Sequence, residues 1–391
     1  MRQNSDPNKA QSRIDGIDIL RGISIFFVLM NHVNMRLHLS KVPYTEGMPA
    51  QLVSSLVWNG QRGVQIFFCI SGFLIASTSI KRWGSLAQMK ARDFYLLRFA
   101  RIAPLFLVLL ALLSCLHLAS VKNFVISETS GGLREALLAA LTFRVNVLEA
   151  TRGYLPPSWD ILWSLSVEEM FYLFFPIACL VVGRRPKFMI GILALFIALG
   201  PLGRTLIAHR NEVWVEYSYL GSMDAIALGI LTALVGSRFR FSRPALLWIS
   251  SVGISLLILC LGGTKIVSHW GLNQIGIGMT VLAIGTCMII LAAAQSQWRA
   301  PRLFYPLLKF GELSYEIYLT HMFVIVAFFE LFLKFEKPMA IVPVLFFVSI
   351  VVSGFLGALV ARFYSEPLNF IIRKRIKNNK YHHNDVILQH V

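Results

Sequence analysis

Long apolar stretches, separated by short segments rich in Lys and Arg, run along almost the whole chain. Most are close to the roughly 20 residues that an α-helix needs to cross a hydrocarbon core about 30 Å thick. None alternates every second residue as the strands of a membrane barrel do. We therefore predict an all-α, polytopic membrane helical bundle of about ten transmembrane helices, at 17–34, 62–80, 102–121, 161–183, 188–208, 217–236, 244–262, 274–294, 313–335 and 339–363.

The basic residues predict how these helices are oriented. Lys and Arg concentrate in alternate loops, for example at 81–101 and at 184–187, and loops of this kind face the cytoplasm. Both termini are therefore predicted to be cytoplasmic. The chain then divides into a cytoplasmic N-terminal segment at 1–16, a membrane domain at 17–363 and a basic cytoplasmic tail at 364–391.

The longest segment on the extracytoplasmic side is 122–160, and it is predicted to contain one short interfacial helix around 133–148. Loops of this length in compact domains are usually functional. The first apolar stretch lacks a small-residue cleavage site, so we interpret it as a retained membrane span and not as a signal peptide.

Composition supports the membrane class and excludes others. The 391 residues are 56% hydrophobic and 15% charged, whereas soluble proteins are typically about 45–50% apolar and about 25% charged. The net charge of +17 does not indicate a nucleic-acid partner, because the basic residues lie in short clusters between apolar stretches. The five cysteines lie inside apolar stretches without metal-ligand spacing, so no disulfide framework and no metal site is predicted.

Ionisable side chains inside membrane helices are costly and usually functional. Arg21 and His32 are eleven residues apart, so they face the same side of the first helix. The arginine is predicted near the cytoplasmic surface and the histidine in the outer half, about 16 Å apart along the axis. Asp18 lies one turn before Arg21 and is predicted to pair with it or to orient it. The structural alternatives are a snorkelling anchor for Arg21 and a helix-bridging group for His32.

Two further groups combine charge with helical spacing. Arg98 and Arg101 form one basic face before the third predicted span, which suits either anionic lipid or the phosphates of a ligand. The adjacent residues Glu168 and Glu169 are expected at the outer end of the fourth span. They point about 100° apart, so only one is predicted to face the bundle interior. Alternatively, they cap the helix N-terminus.

The remaining polar candidates are single residues or uncharged groups. Tyr318 and His321, one turn apart on the ninth span, belong either to a site or to a hydrogen-bonded seam between helices. Asp224 in the sixth span is either a supporting site residue or half of a structural salt bridge. Gly72, next to Ser71, is expected to permit close helix packing.

Six segments, which reach in order from about residue 14 to residue 370, form one set of motifs: Asp18 to Gly22 with His32, Phe67 to Ile75, Arg98 to Arg101, Trp163 to Tyr172, Ser314 to His321 and Ser365 to Pro367. Together they resemble the motifs of the integral membrane acyltransferase-3 family. Its members transfer acyl groups, usually acetyl, to sugars of surface polysaccharides and to other extracytoplasmic acceptors. Four residues depart from the usual family residues, and none belongs to the Arg21–His32 pair: Cys69, Ile70, Met170 and Glu316.

The resemblance implies an O-acetyltransferase that uses acyl-CoA on the cytoplasmic side and modifies a glycan on the other side. It implies that Arg21, Arg98 and Arg101 bind acetyl-CoA, which is a co-substrate, and no permanently bound cofactor is expected. His32 is implied as the catalytic base, and an acyl-histidine intermediate is the alternative.

The other candidates are expected to assist this chemistry. Glu168 or Glu169 is expected to orient the acceptor or His32, so both are catalytic candidates. Ser71, Tyr318 and His321 are weaker candidates for oxyanion or sugar contacts. The supporting candidates are Asp18, Ser71, Asp224, Tyr318 and His321.

The implied location is the cell inner membrane. The expected partners are acyl-CoA, the bilayer, an exopolysaccharide, lipopolysaccharide or lipid-linked glycan acceptor, and separate glycan-assembly proteins. Because the chain lacks the esterase-like domain that is fused to some family members, it is expected to act alone or with a separate partner. Two alternatives stay open. A transporter also uses buried acidic groups and histidines as proton relays, although no related halves are found here. A non-catalytic glycan-binding subunit would tolerate loss of His32.

Overall fold

The computed structural model describes the chain as a bundle of α-helices, at residues 13–206, 212–296, 298–336 and 338–375. Most of the predicted N-terminal segment at 1–16 and part of the predicted tail at 364–391 therefore lie outside the described residues. Within the described residues, helices and turns are the only regular structure and no β-strand occurs.

Ten helices in this described part are long and apolar enough to cross a membrane, which confirms the predicted polytopic bundle. The crossing segments are α1, α3, α4, α8 continuous with α7, α9, α11 continuous with α10, α12, α14, α16 and α17. In chain order, the helices are α1 (Asp15–Leu39), α2 (Ala50–Val57), α3 (Gly60–Trp83), α4 (Ala91–Leu118), α5 (Gly132–Leu141), α6 (Val145–Arg152), α7 (Pro157–Asp160), α8 (Leu162–Val182), α9 (Pro186–Leu206), α10 (Glu212–Tyr217), α11 (Tyr219–Arg238), α12 (Arg243–Gly262), α13 (Thr264–His269), α14 (Gly278–Ser296), α15 (Tyr305–Glu312), α16 (Ser314–Lys334) and α17 (Val342–Val360).

The crossing segments alternate in direction. α1, α4, α9, α12 and α16 begin at one face of the bundle, which we call the N-terminal face, and the other five end there. The connections that hold α5 to α7, α10 and α13 therefore belong to the opposite face. A π-helical turn at Ala361–Ser365 follows α17, and the helix continues through residues 366–375 at the N-terminal face.

Two predicted boundaries are wrong. α4 begins at Ala91 and not near residue 102, so Arg98 and Arg101 lie inside the helix. Hydropathy marks only the apolar part of a helix, whereas the polar first turns continue it, with Asp93 at the helix N-terminus, where a negative charge is favourable. The segment 122–160 forms α5 and α6 in place of one helix, because the chain turns at Phe143, whose φ is +55°.

The most buried crossing helices lie at the centre of the bundle. The best apolar window of α3 is 67% buried, compared with 28% for α9, α12 and α17. α3 and α11 approach so closely that a Cβ atom at Gly72 would overlap the carbonyl oxygen of Ile226. Gly229 meets the carbonyl oxygen of Cys69 in the same way. The prediction that Gly72 permits close packing is confirmed.

A buried ion pair joins four of these helices near the opposite face. Asp224 of α11 lies 2.7 Å from Arg204 of α9, and the two residues are 0% and 7% exposed. Thr280 of α14 donates to the same carboxylate at 2.6 Å, and Gln65 of α3 donates to its other oxygen at 3.1 Å. Asp224 therefore forms the salt bridge that was one of its two interpretations, and it lines neither of the cavities described next.

Candidate functional site

A cavity of about 530 Å³ enters the bundle from the N-terminal face. α3 lines it from Val64 to Trp83, a length of about 28 Å at 1.5 Å per residue. The other walls come from α1, α4, α8, α16 and the helical residues after α17. Trp83 and Arg373 lie at its mouth, and Ser164 and Tyr318 lie at its deep end. The cavity is therefore long, and it reaches towards the middle of the bundle from one face.

Five arginines line this cavity, and their charges are balanced in different ways. Arg98 has two carboxylate partners. Among the described residues, Arg21 has only Asp18, at 3.8 Å, and its Nε is buried without a partner. The other three, which line the mouth, have no carboxylate within ion-pair distance among the residues that the structure describes. These three are Arg82, Arg101 and Arg373. The mouth is therefore strongly cationic.

Arg98 is held firmly in the wall of the cavity. Its Nη2 donates to Glu168 at 2.8 Å and to Glu169 at 2.9 Å, and its Nε donates to Glu169 at 3.1 Å. Its guanidinium carbon lies 3.6 Å from the centroid of the Tyr172 ring. A guanidinium with two carboxylates and an aromatic face has few donors left for a ligand phosphate. Its predicted contact with the donor would require breaking one of these bonds.

Both Glu168 and Glu169 reach Arg98, but only Glu168 also lines the cavity. The two residues lie near the middle of the crossing segment Pro157–Val182 and not at its outer end. Glu168 also accepts hydrogen bonds from Ser71 and, at 2.8 Å, from Tyr172.

A pair of histidines lies beyond the deep end of the cavity. The ring centroids of His32 and His321 are 5.0 Å apart, and neither residue lines the cavity. The Tyr318 ring contacts the His321 ring at 5.8 Å and the Phe67 ring at 6.4 Å, and Tyr318 and Phe67 both line the cavity. Tyr318 therefore stands between the cavity and the histidines.

The three weaker oxyanion candidates all use their polar hydrogens within the protein. The Ser71 hydroxyl donates to Glu168, and the Tyr318 hydroxyl donates to the Ile161 carbonyl at 3.0 Å. Nδ1 of His321 lies 2.7 Å from the Tyr318 carbonyl. An oxyanion hole needs donors aimed at the developing charge. This arrangement therefore does not present Ser71, Tyr318 or His321 as a ready donor to an oxyanion.

A second cavity of about 280 Å³ lies beside the first at the N-terminal face. Asp18, Glu312 and Arg13 line it, and it shares Arg21 and Arg101 with the larger cavity. Arg13 and Lys309 both bind Glu312, at 2.7 Å each. Burial opposes ionisation of Glu312, but the two cationic partners outweigh it and lower the pKa of this carboxyl. Arg21 and Arg101 therefore belong to a continuous basic wall between the two cavities.

A cluster of acidic and aromatic side chains lies on the opposite side of the histidines, between α6, α7 and α10. Glu149 is fully buried and accepts a hydrogen bond from the Leu155 amide at 3.1 Å. Burial, and next the neighbouring charge of Asp160, raise the pKa of Glu149 well above its usual value. Tyr217 donates to Asp160 at 3.0 Å and stacks on Trp163 at 4.2 Å. The segment 122–160 thus contributes buried ionisable side chains as well as exposed residues.

The structure brings most of the predicted site residues to one region and separates one of them. His32 and His321 lie beyond the cavity, Glu169 holds Arg98, Asp18 lies in the second cavity, and Asp224 is elsewhere. The predicted residues that line the first cavity directly are Arg21, Ser71, Arg98, Arg101, Glu168 and Tyr318.

Three residues of the site were missed from the sequence. Tyr172 follows Glu168 by one helical turn, so the spacing could have indicated it. Arg82 and Arg373 were interpreted as ordinary basic residues of cytoplasmic segments. No signal along the chain shows that both meet Arg101 at one cavity, because the three residues come from three different helices.

The fold and the site define a multi-pass helical membrane protein with an arginine-lined cavity that leads towards two histidines. A family profile described as an acyltransferase domain matches residues 14–362. The chain therefore belongs to the acyltransferase-3 family that its motifs resemble.

Several curated proteins are similar over most of the chain. The O-acetyltransferase OatA of Staphylococcus aureus (strain NCTC 8325 / PS 47) is 24% identical over 370 residues, which cover 91% of this chain and 57% of OatA. A relative from Staphylococcus aureus (strain COL), named provisionally as an O-acetyltransferase, is 24% identical over 382 residues, covering 92% of this chain and 58% of its own length. The chain thus spans a little over half the length of these relatives. No solved structure matches it.

Proposed function

We propose that the protein is an integral membrane O-acyltransferase that moves an acetyl group from acetyl-CoA to a sugar hydroxyl of a glycan on the other side of the membrane. Family membership and the similarity to O-acetyltransferases support acyl transfer. The observation that carries the proposal is the arginine-lined cavity whose deep end lies next to His32 and His321. The cavity therefore connects a mouth whose arginines can bind an anion with a histidine that can act as a base.

Arg82, Arg101 and Arg373 form the proposed binding site for the donor phosphates. CoA carries a diphosphate and a separate 3′-phosphate, and guanidinium groups bind such oxygens in bidentate fashion. Arg21, deeper and only loosely paired with Asp18, is available to the same ligand. Arg98 then acts mainly by holding Glu168 and Glu169 in place. The pantetheine arm lies along α3 and brings the thioester towards the deep end of the cavity.

His32 is the proposed base. It takes the proton of the acceptor hydroxyl while the hydroxyl oxygen attacks the thioester carbon, so a C–O bond forms and the C–S bond breaks. The CoA thiolate leaves and takes up that proton. Imidazole suits this step because its ordinary pKa lies near physiological pH. An acyl-histidine intermediate would give the same products in two steps.

The proposed orientation places the N-terminal face in the cytoplasm, with both termini there, and the opposite face outside the inner membrane. The Lys and Arg distribution supports this orientation. The acceptor, a polysaccharide or a lipid-linked glycan, is expected to approach next to α5, α6 and α7. Tyr154 is exposed there, and Asp160 and Tyr217 lie beneath it. Separate glycan-assembly proteins are proposed to present the acceptor.

The test uses the full chain, reconstituted in lipid, and follows CoA release from acetyl-CoA with and without an extracted cell-surface glycan. We expect glycan-stimulated release from the wild type and none from His32→Ala. His269→Ala, which changes an exposed histidine of α13, is the matched control and should behave as wild type. If His32→Ala released as much CoA as the wild type, His32 would not be the base. If the wild-type protein neither bound CoA nor released it from acetyl-CoA, the alternative function as a transporter would be favoured.

A further inference from the structure

The hydrogen bonds of His321 determine which of its ring nitrogens carries a proton. Nδ1 lies 2.7 Å from the Tyr318 carbonyl oxygen and 3.1 Å from the Ile317 carbonyl oxygen. A carbonyl oxygen can only accept a hydrogen bond, so Nδ1 must be the nitrogen that donates. In the neutral ring, Nε2 therefore carries no proton and presents a lone pair.

That lone pair has no hydrogen-bond partner among the residues that the structure describes. His321 is 0% exposed, and its Nε2 is buried without a hydrogen bond. A buried polar atom without a partner is uncommon and costs free energy, so its persistence calls for an explanation. The ring of His32 lies next to the His321 ring, with 5.0 Å between the centroids and a 48° tilt.

His32 needs an orienting group if it is to act as a base. In many active sites, a carboxylate holds the catalytic histidine in the correct tautomer by accepting its second N–H. Among the described residues, no carboxylate lies within ion-pair distance of His32. Glu168 and Glu169 are both bound to Arg98. The charged side chain near His32 on its own helix is Arg36, one turn further along α1, and it cannot accept a proton.

We propose that His321 is the positioning residue of the reaction, and that its Nε2 accepts the N–H of His32. This proposal rests on the function proposed above. It leaves the other nitrogen of His32 unprotonated and able to take the hydroxyl proton. The chain of groups is then the Tyr318 carbonyl, His321, His32 and the acceptor hydroxyl. No proton leaves His321, so the overall proton balance of the transfer is unchanged.

The first test compares two substitutions that keep different parts of the histidine ring. The amide oxygen of His321→Gln reaches about the position of Nε2 and can accept the His32 N–H, whereas His321→Asn reaches only the position of Nδ1. We expect His321→Asn to lower kcat about 100-fold, which is within the contribution of a positioned base. The KM for acetyl-CoA should stay unchanged, and His321→Gln should restore at least a tenth of wild-type kcat.

Two outcomes of this test would overturn the proposal. One is a wild-type kcat in His321→Asn. The other is a His321→Gln protein that folds, binds CoA and is as inactive as His32→Ala, since Nε2 would then itself have to take the proton. Elution volume and melting temperature establish folding in each variant.

The second test needs no acyltransferase activity and so separates this proposal from the proposed function. Histidine labelled with ¹⁵N is incorporated into the full chain, and the His321 signals are assigned by their loss in His321→Gln. We expect a protonated Nδ1 and an unprotonated Nε2 whose ¹⁵N shift moves in His32→Ala, because the hydrogen bond from His32 is lost. A protonated Nε2, or a shift that is the same in His32→Ala, would reject the positioning role.

Discussion

At the scale of single residues, the five cavity arginines differ in the charge that surrounds them. Arg98 meets two carboxylates and an aromatic ring, whereas Arg82, Arg101 and Arg373 meet none of the described carboxylates. Arg82 and Arg101 lie close enough to Arg373 for their charges to repel it. Like charges held together are stabilised when an anionic ligand binds between them. The unpaired arginines are therefore the expected phosphate contacts, and Arg98 is expected to be structural.

The first prediction concerns Arg373→Gln and Arg82→Gln. Each should weaken CoA binding about tenfold, because a hydrogen bond to a charged group contributes about 1.5–3 kcal/mol and 1.4 kcal/mol is a factor of ten. Isothermal titration of the reconstituted protein with CoA measures the effect. Binding of pantetheine, which has no phosphates, should not change.

Arg375→Gln is the matched control for this prediction. Arg375 is also exposed and lies on the same final helix, but it lines neither cavity. An equal loss of CoA affinity in all three variants would mean that the overall positive charge, and not a defined site, attracts the nucleotide. Unchanged CoA affinity in Arg373→Gln and Arg82→Gln would remove both residues from the donor site.

Several site residues could be predicted from the chain because their signal is local. Arg21 and His32 share one helix face, and Arg98 and Arg101 are one turn apart, so their grouping follows from helical geometry. Their partners could not be predicted in this way. The bond between Arg98 and Glu168 joins α4 to α8, and such a contact depends on how two helices pack.

At the scale of helices, the contact between α3 and α11 depends on the absence of side chains. Gly72 and Gly229 each lie directly against a carbonyl oxygen of the other helix. Small residues that let helix backbones approach are a common basis of helix association in membranes, where apolar burial gives little driving force. Since Ser71 of the cavity wall is adjacent to Gly72, the same contact also positions the site.

The second prediction follows from this contact. Gly229→Val should destabilise the protein by about 1–3 kcal/mol, the usual cost of overpacking, because the added methyl groups must displace the Cys69 carbonyl. The melting temperature of the purified protein and its recovery as a single species on gel filtration measure the effect.

Gly191→Val is the control for the same substitution. Gly191 lies on α9, where an added Cβ meets no atom within 4 Å, so valine should be tolerated. If Gly229→Val melts at the same temperature as Gly191→Val, the close approach of α3 and α11 does not contribute to stability.

The helices themselves were largely predictable, and the exceptions have physical causes. Ten apolar stretches correctly predicted ten crossing helices. In lipid the backbone must form its own hydrogen bonds, so an apolar stretch of this length forms a helix. The early start of α4 at Ala91 was missed because its first turns are polar. The split between α5 and α6 at Phe143 was missed because its left-handed backbone has no glycine to mark it.

At the scale of the whole molecule, the cationic mouth and the acidic cluster lie towards opposite faces of one bundle. Arg82 and Arg373 mark the N-terminal face, and Glu149 marks the other. This polarity suits the reaction proposed above, in which the donor and the acceptor approach from opposite sides of the membrane. It also makes the orientation of the protein a direct test of the proposed reaction.

The third prediction concerns that orientation. In a variant whose cysteines are replaced, a new cysteine at Ser127, on the opposite face, should react with a membrane-impermeant maleimide in intact cells. One at Gln88, on the N-terminal face, should react only after the membrane is permeabilised, and both side chains are exposed. Labelling followed by gel electrophoresis gives the result. The reverse pattern would place the arginines outside the cell, away from CoA, and would contradict the proposed donor site.

The closed deep end of the cavity has a consequence for the ion gradient across the membrane. In the described part of the chain, the cavity lining ends at Ser164 and Tyr318, and neither Arg36 nor Asp160 belongs to it. Among the described residues, the lining of this cavity therefore does not run from one face to the other. In the reaction proposed above, a cavity closed at one end would let the protein work across an energised membrane without discharging the ion gradient. The thioester bond of the proposed donor would then supply the driving force, so the proposed modification would not draw on ion-motive energy.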